Sequence, residues 1–163
     1  MIVPINNQIS FGSVHDLDPF YLENQGITHI LQLSDGSPNL GNRYPLQRYI
    51  FQFREENIGV PEAKYMLQKM ALLLQQYCQN PYHKVLVICN SGTYKSALIC
   101  LSYMVIIQKI DLNRCVAYIR SKNPDCLKDT SRLAFRVLMG YDLNNKTPAI
   151  NEVDIYNRIY RID

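Results

Sequence analysis

Cys89 closes the run Lys84-Val85-Leu86-Val87-Ile88-Cys89, and Asn90-Ser91-Gly92-Thr93-Tyr94-Lys95-Ser96 follows it before a long apolar stretch. The β-branched and apolar residues up to Ile88 predict a buried strand with the cysteine at its end. The polar segment after it has a central glycine and reads as a short loop. A helix is expected to open at Ser96, with that serine as its N-cap. Strand, glycine loop and helix N-terminus together aim backbone N–H groups at one point, here beside a sulfur. Such a site can hold a tetrahedral anion against a nucleophile whose thiolate those same N–H groups favour. The bland alternative for Cys89 is a buried apolar cysteine at a strand end. Lys95 is either an anion ligand or a member of a structural ion pair.

The other chemically capable residues do not gather into a second site. Cys78, Cys100, Cys115 and Cys126 lack C-x-x-C spacing, and the histidines His15, His29 and His83 are dispersed, so these residues are read as structural or surface groups. No metal and no cofactor is expected. Glu55 and Glu56 read as a solvated charged edge. An odd count of five cysteines fits a reduced intracellular compartment, cytoplasmic or nuclear. The first residues carry no basic-then-apolar signal pattern. The most apolar stretch, residues 97–107, falls short of the ~20 residues that span a bilayer, so no membrane association is expected. A net charge of +3 is too mild for nucleic-acid binding. With 47% hydrophobic and 19% charged residues in 163, the composition is that of one folded domain with an ordinary core.

The elements that position the cysteine follow from local pattern. Residues 9–12 form a short strand ending in a turn glycine. Residues 16–23 form a short helix stopped by Gly26. Residues 27–33 are a strand, 34–43 a surface loop, and 48–53 another strand. Pro61 opens a helix as its first residue, with Ala63, Met66, Leu67, Met70, Leu73, Leu74 and Tyr77 on its core face. The helix from Ser96 to about Gln108 is apolar nearly all round. Asp111 caps the next, which carries Leu112, Cys115, Val116 and Ile119 and stops at Pro124. Asp129 or Thr130 caps the last, with Leu133, Val137 and Leu138, and Gly140 ends it. Interleaved strands and helices give an α/β domain, a central sheet of about five strands with helices on both faces. The domain is expected to span residues 1–141. Residues 142–163 form a C-terminal extension with Val153, Ile155, Tyr156, Ile159, Tyr160 and Ile162, which either docks a partner or covers the domain.

The order of these pieces over roughly residues 8–140 resembles the dual-specificity subgroup of the cysteine-dependent protein tyrosine phosphatases. Ile9-Ser10-Phe11-Gly12-Ser13 is similar to the family's opening strand and turn, and Gly26-Ile27-Thr28-His29-Ile30-Leu31 to its first long core strand. Val85 through Ala97 is similar to its signature loop. Ala117-Tyr118-Ile119 lies where the family has a later helix. The resemblance implies that Cys89 stands at the nucleophile position, Asn90, Ser91, Gly92, Thr93, Tyr94 and Lys95 at the anion-binding loop, and Ser96 at the hydroxyl that assists the thiolate as a leaving group.

Three departures bear on activity. The family's His-Cys-x-x-x-x-x-Arg-Ser reads Ile88-Cys89, then Lys95-Ser96. Arginine holds two phosphoryl oxygens as a planar fork, whereas lysine offers a point charge, a change that by analogy with lost oxyanion donors costs about 10²–10³ in rate. Ile88 stands where a histidine orients the cysteine. Residues 51–58 contain no aspartate to match the family's acid; the best alignment puts Gln52 at that position, a slipped one offers Glu55 or Glu56, and losing a general acid costs about 10²–10⁴. These departures resemble the serine/threonine/tyrosine-interacting pseudophosphatases, although those usually lose the cysteine itself. The expected function is a catalytically impaired phosphatase-like protein that binds a protein partner or a phosphorylated ligand. The alternatives are a slow cysteine-dependent phosphatase on phosphotyrosine, phosphoserine or phosphothreonine proteins and, less favoured by the mild charge, an RNA 5′-phosphatase.

Overall fold

The computed structural model describes residues 1–33, 47–52, 54, 55 and 58–146. The loop expected at 34–43, Phe53, Glu56 and the extension beyond 146 lie outside them. Five strands build one sheet: β1 (Val3–Pro4), β2 (Ile9–Ser13), β3 (His29–Gln32), β4 (Gln47–Ile50) and β5 (Val85–Cys89), in the order β1-β2-β5-β3-β4. All neighbours are parallel except β1, which pairs antiparallel with β2 at the edge. β5 is central, and each of its residues is at most 2% exposed, as expected of a parallel strand covered on both faces.

Alternate residues of β5 serve opposite layers. Leu86 and Ile88 pack with Ile27, Ile30 and Leu22 of helix α1 (Pro19–Gln25). Val85, Val87 and Cys89 join the larger core beneath α2 (Val60–Tyr77), α3 (Lys95–Ser102), α4 (Leu112–Lys122) and α5 (Leu133–Lys146). Parallel strands require crossovers, and they diverge here. The chain leaves β2 towards α1 on one face and leaves β5 towards α3 on the other. The carboxyl ends of these two neighbours, Ser13 and Cys89, are paired in register. A crevice at such a switch point is where open α/β sheets place ligands.

The predicted stripes match the buried faces. Ala63, Leu67, Met70 and Leu74 of α2 and Leu112, Cys115, Val116 and Ile119 of α4 are buried. Asp111 caps α4 by accepting the Arg114 N–H at 3.2 Å. Several boundaries differ. Ser13 and Asp16 close a capping box around a 3-10 turn at Val14–Asp16, so α1 starts only at Pro19, capped by Asp18 and stopped by Gly26 at φ +68°. α2 begins at Val60, which makes Pro61 its second residue, still within the turn that needs no donor there. β4 ends at Ile50, short of the expected strand. The helix expected to reach Gln108 is α-helical through Ser102 and continues as a π-helical turn over Tyr103–Ile107. α5 runs through Gly140 to Lys146, past the residue 141 boundary, because Asp142 is buried and its carboxylate accepts the Leu112 N–H at 3.1 Å.

Candidate anion-binding site

Cys89 leaves the sheet at the end of β5, and the chain turns back over it before α3 begins. The turn is closed against β2: the Ser13 hydroxyl donates to the Asn90 carbonyl at 2.7 Å. Gly92 sits at φ +74° with its backbone against Gly12 and Ser13, a conformation and a closeness that favour glycine. Its N–H points back at Cys89 Sγ, 3.2 Å away, and the Ser96 N–H in the first turn of α3 reaches the same sulfur at 3.4 Å. The convergence expected from the residue pattern is therefore present in the backbone. Cys89 is 2% exposed, while Asn90 and Ser91 are exposed and Thr93 and Lys95 half-buried. The loop is braced from the far side as well. Arg120 donates to the carbonyls of Cys126 (3.4 Å) and Leu127, and the Leu127 N–H donates to Thr93 O at 2.9 Å.

Ser96 is not the N-cap. α3 starts one residue earlier, with Tyr94 in the cap position and making no side-chain cap bond. The Ser96 hydroxyl instead accepts from Cys89 Sγ at 3.3 Å and donates to the Gly12 carbonyl at 3.2 Å. The sulfur draws it inward, because Ser96 is fully buried and its hydroxyl must find partners there. Lys95 is the first residue of α3.

The acid side departs most from expectation. Gln52 is exposed just beyond β4. Glu55 is not a solvated edge: its side chain is only 8% exposed, and it bonds three groups. Arg132 pairs with Oε1 at 2.7 Å, while the Tyr94 hydroxyl at 3.0 Å and the Ala134 N–H at 2.9 Å donate to Oε2. Glu55 thus caps α5 from a distant segment. Asp129, expected to cap that helix, turns locally to accept from the Ser131 N–H at 3.1 Å and from the Ser131 hydroxyl. The Arg132 guanidinium covers the Tyr94 ring at 3.6 Å. Burial, with the Glu55 carboxylate adding to it, raises the Tyr94 phenol well above its ordinary value, so it stays a donor.

The remaining groups lie apart from the cradle chemistry. All five cysteines are free. Burial pushes the Cys115 and Cys126 thiols up to about 11, raises Cys100 further and raises Cys78, which makes them poor thiolates. His29 and His83 stack at 4.4 Å at the amino end of β3, away from Cys89. His15 is exposed in the turn after Ser13. Among the described residues no group of histidines, cysteines and carboxylates could hold a metal ion, and no helix is long and apolar enough to cross a membrane.

No protein-family model matches the chain. Solved structures do. A mouse putative dual specificity phosphatase complexed with zinc tungstate is 17% identical, with a TM-score of 0.66 over 88% of this chain and 87% of that one. DUSP15 is 13% identical at a TM-score of 0.72 over 88% of both. The human tyrosine phosphatase-like serine/threonine/tyrosine-interacting protein is 16% identical at 0.66 over 90% and 98%. Identities at this level speak for architecture and not for chemistry. That architecture is shared over nearly the full length of both partners, and the resemblance in the sequence is borne out in it: the chain has the dual-specificity phosphatase fold.

Proposed function

We propose that this chain is a catalytically impaired phosphatase-fold protein that binds a phosphorylated ligand, or a protein partner presenting one, on the Cys89–Ser96 loop. One observation carries the reading: the two halves of the site are unequally equipped. On the loop side, the Gly92 and Ser96 N–H groups donate to Cys89 Sγ at 3.2 and 3.4 Å, a backbone arrangement that favours a thiolate at the start of α3 and does not depend on Lys95. On the acid side, the described residues offer the Gln52 amide and a Glu55 carboxylate already committed to Tyr94, Arg132 and Ala134. Such a site keeps the loop and helix N-terminus that can receive a tetrahedral oxyanion, while among the described residues it shows neither a guanidinium fork at position 95 nor an uncommitted proton donor to speed ester cleavage. The tungstate on the mouse structure and the description of the human structure as phosphatase-like and interacting support a binding role on this fold. The domain assigned to this role runs through α5, past residue 141, so a docking or covering role for the extension falls to the residues after Lys146.

The test is tungstate affinity by calorimetry, beside turnover of an activated aryl phosphate, for the wild type, Cys89→Ser and Lys95→Arg. Tungstate binding without Cys89-dependent turnover is expected, with turnover rising about 10²–10³ in Lys95→Arg, where the fork is restored. The second reading, a slow enzyme, is favoured by the Ser96 hydroxyl 3.3 Å from Sγ. There the Cys89 thiolate attacks phosphorus and the P–O ester bond breaks, the departing phenolate or alkoxide taking its proton from water; a second water then attacks phosphorus, the P–S bond breaks, and phosphate and the thiolate are released. Cys89-dependent turnover by the wild type would establish it and sink the first. Absence of tungstate binding would remove the cradle from both.

A further inference from the structure

The two sides of the site are joined by a single carboxylate. Glu55 lies on the segment after β4, Tyr94 on the loop after β5, and the 3.0 Å bond between them is a direct link from one to the other. Tyr94 occupies the residue before α3 in a non-helical conformation, φ −125° and ψ −71°, so its placement sets where the helix begins. Two residues on, the Ser96 N–H is one of the two donors on Cys89 Sγ. The Arg132 ion pair and the Ala134 N–H already compensate the buried carboxylate, and both belong to the start of α5. The Tyr94 bond links the carboxylate directly to the cradle, and Arg132, paired with the same carboxylate, covers the Tyr94 ring.

We propose that Glu55 is a positioning residue: through Tyr94 it holds the Asn90–Tyr94 loop and the start of α3 in the anion-receiving form, coupling oxyanion affinity to a carboxylate on the opposite loop. This deepens the oxyanion-binding reading and rests on it. The coupling needs no contact between Glu55 and the ligand, and it makes the segment after β4 a control on the site.

The experiment uses the full chain with Tyr94→Phe, Glu55→Gln and the double variant. Tyr94→Phe keeps the ring under Arg132 and removes only the hydroxyl. Three quantities are read: tungstate affinity, melting temperature without anion, and the rate of Cys89 alkylation by iodoacetamide, followed on its own peptide. Each single variant is expected to bind tungstate about fivefold more weakly, the share of one hydrogen bond. The double is expected to be no weaker than Glu55→Gln alone, since both act on one contact. Alkylation of the 2%-exposed Cys89 accelerates in all three. Unchanged affinity and alkylation in Tyr94→Phe, with only the melting temperature lowered, would reduce Glu55 to a structural clasp and overturn the proposal. Full additivity in the double would do the same. If Glu55→Gln fails to fold, Tyr94→Phe decides by itself. A wild type that binds no tungstate, with alkylation still faster in the variants, would overturn the oxyanion reading and leave the positioning role standing.

Discussion

Gly92→Ala separates the geometry of the cradle from the general stability of the fold. At φ +74° an L side chain meets its own backbone, a cost of roughly 1–2 kcal/mol. The new Cβ would also stand 2.7 Å from Ser13 N, 2.8 Å from the Gly12 carbonyl carbon and 2.9 Å from Ser13 Cβ. Two of those atoms are backbone at the end of β2, where the ladder to β5 holds them, so no flexible side chain can swing away. Displacing packed structure of this kind costs about 1–3 kcal/mol, for a total of about 2–5 kcal/mol. In a domain of this length each kcal/mol lowers the melting temperature by about 2–4 °C, so the fall should centre near 10 °C. Tungstate affinity should drop as well, because the Gly92 N–H must move off Cys89. Gly26→Ala is the control: it shares the left-handed backbone, φ +68°, but its Cβ meets nothing within 4 Å. It should lose only a few degrees, roughly 1–2 kcal/mol, and keep its tungstate affinity. Equal shifts in the two variants, with tungstate binding retained in Gly92→Ala, would refute the claim that the loop is wedged against β2.

Two further outcomes follow from burial and charge. Gly140 lies inside α5 with open space around its Cβ, so Gly140→Ala should raise the unfolding free energy by about 0.5–1 kcal/mol, read as a higher denaturation midpoint at unchanged slope. His29, 4% exposed between Tyr77 and His83, is held below the ordinary 6.5 by burial and by the neighbouring His83, against a weaker upward pull from Gln47. The unfolded chain therefore takes up a proton that the folded one resists: stability is full above 6.5 and falls as pH drops below it, and His29→Gln should flatten that slope in urea titrations.

Much of this fold is legible because its signals are local. The spacing in α2 and α4 marks their buried faces from neighbouring residues alone, and the continuous apolar run into Cys89 marks a strand covered on both sides. What escapes is supplied from far along the chain. Gly140 is a stop signal by local rules, yet α5 continues, with Phe135 and Leu138 buried and Asp142 anchored to the Leu112 N–H thirty residues away. Asp129 is a sound local cap, yet Glu55, separated by 79 residues, takes the N-terminus of α5. β1 has only two residues, too few for any periodicity to register.

The site divides along the same line, for a reason that bears on function. Its loop side rests on main-chain atoms: the N–H groups of Gly92 and Ser96 on Cys89 Sγ, and a turn that needs one glycine and a serine hydroxyl from β2. Local sequence reveals such a structure, and substitution of most side chains around it leaves the donors in place. In the proposed reading, turnover would rest instead on side-chain atoms that one substitution removes, a planar fork at position 95 and a carboxyl group near position 52. Here those positions hold lysine and glutamine. On the proposed function, binding and catalysis depend on different atoms of one loop system, so losing the second would not require losing the first. Glu55 fits this division. Placed between the two loops, its carboxylate accepts from Tyr94 and Ala134, and its charge is met by Arg132. With all three partners drawn from the loop after β5 and the start of α5, the geometry fits the positioning role proposed for Glu55.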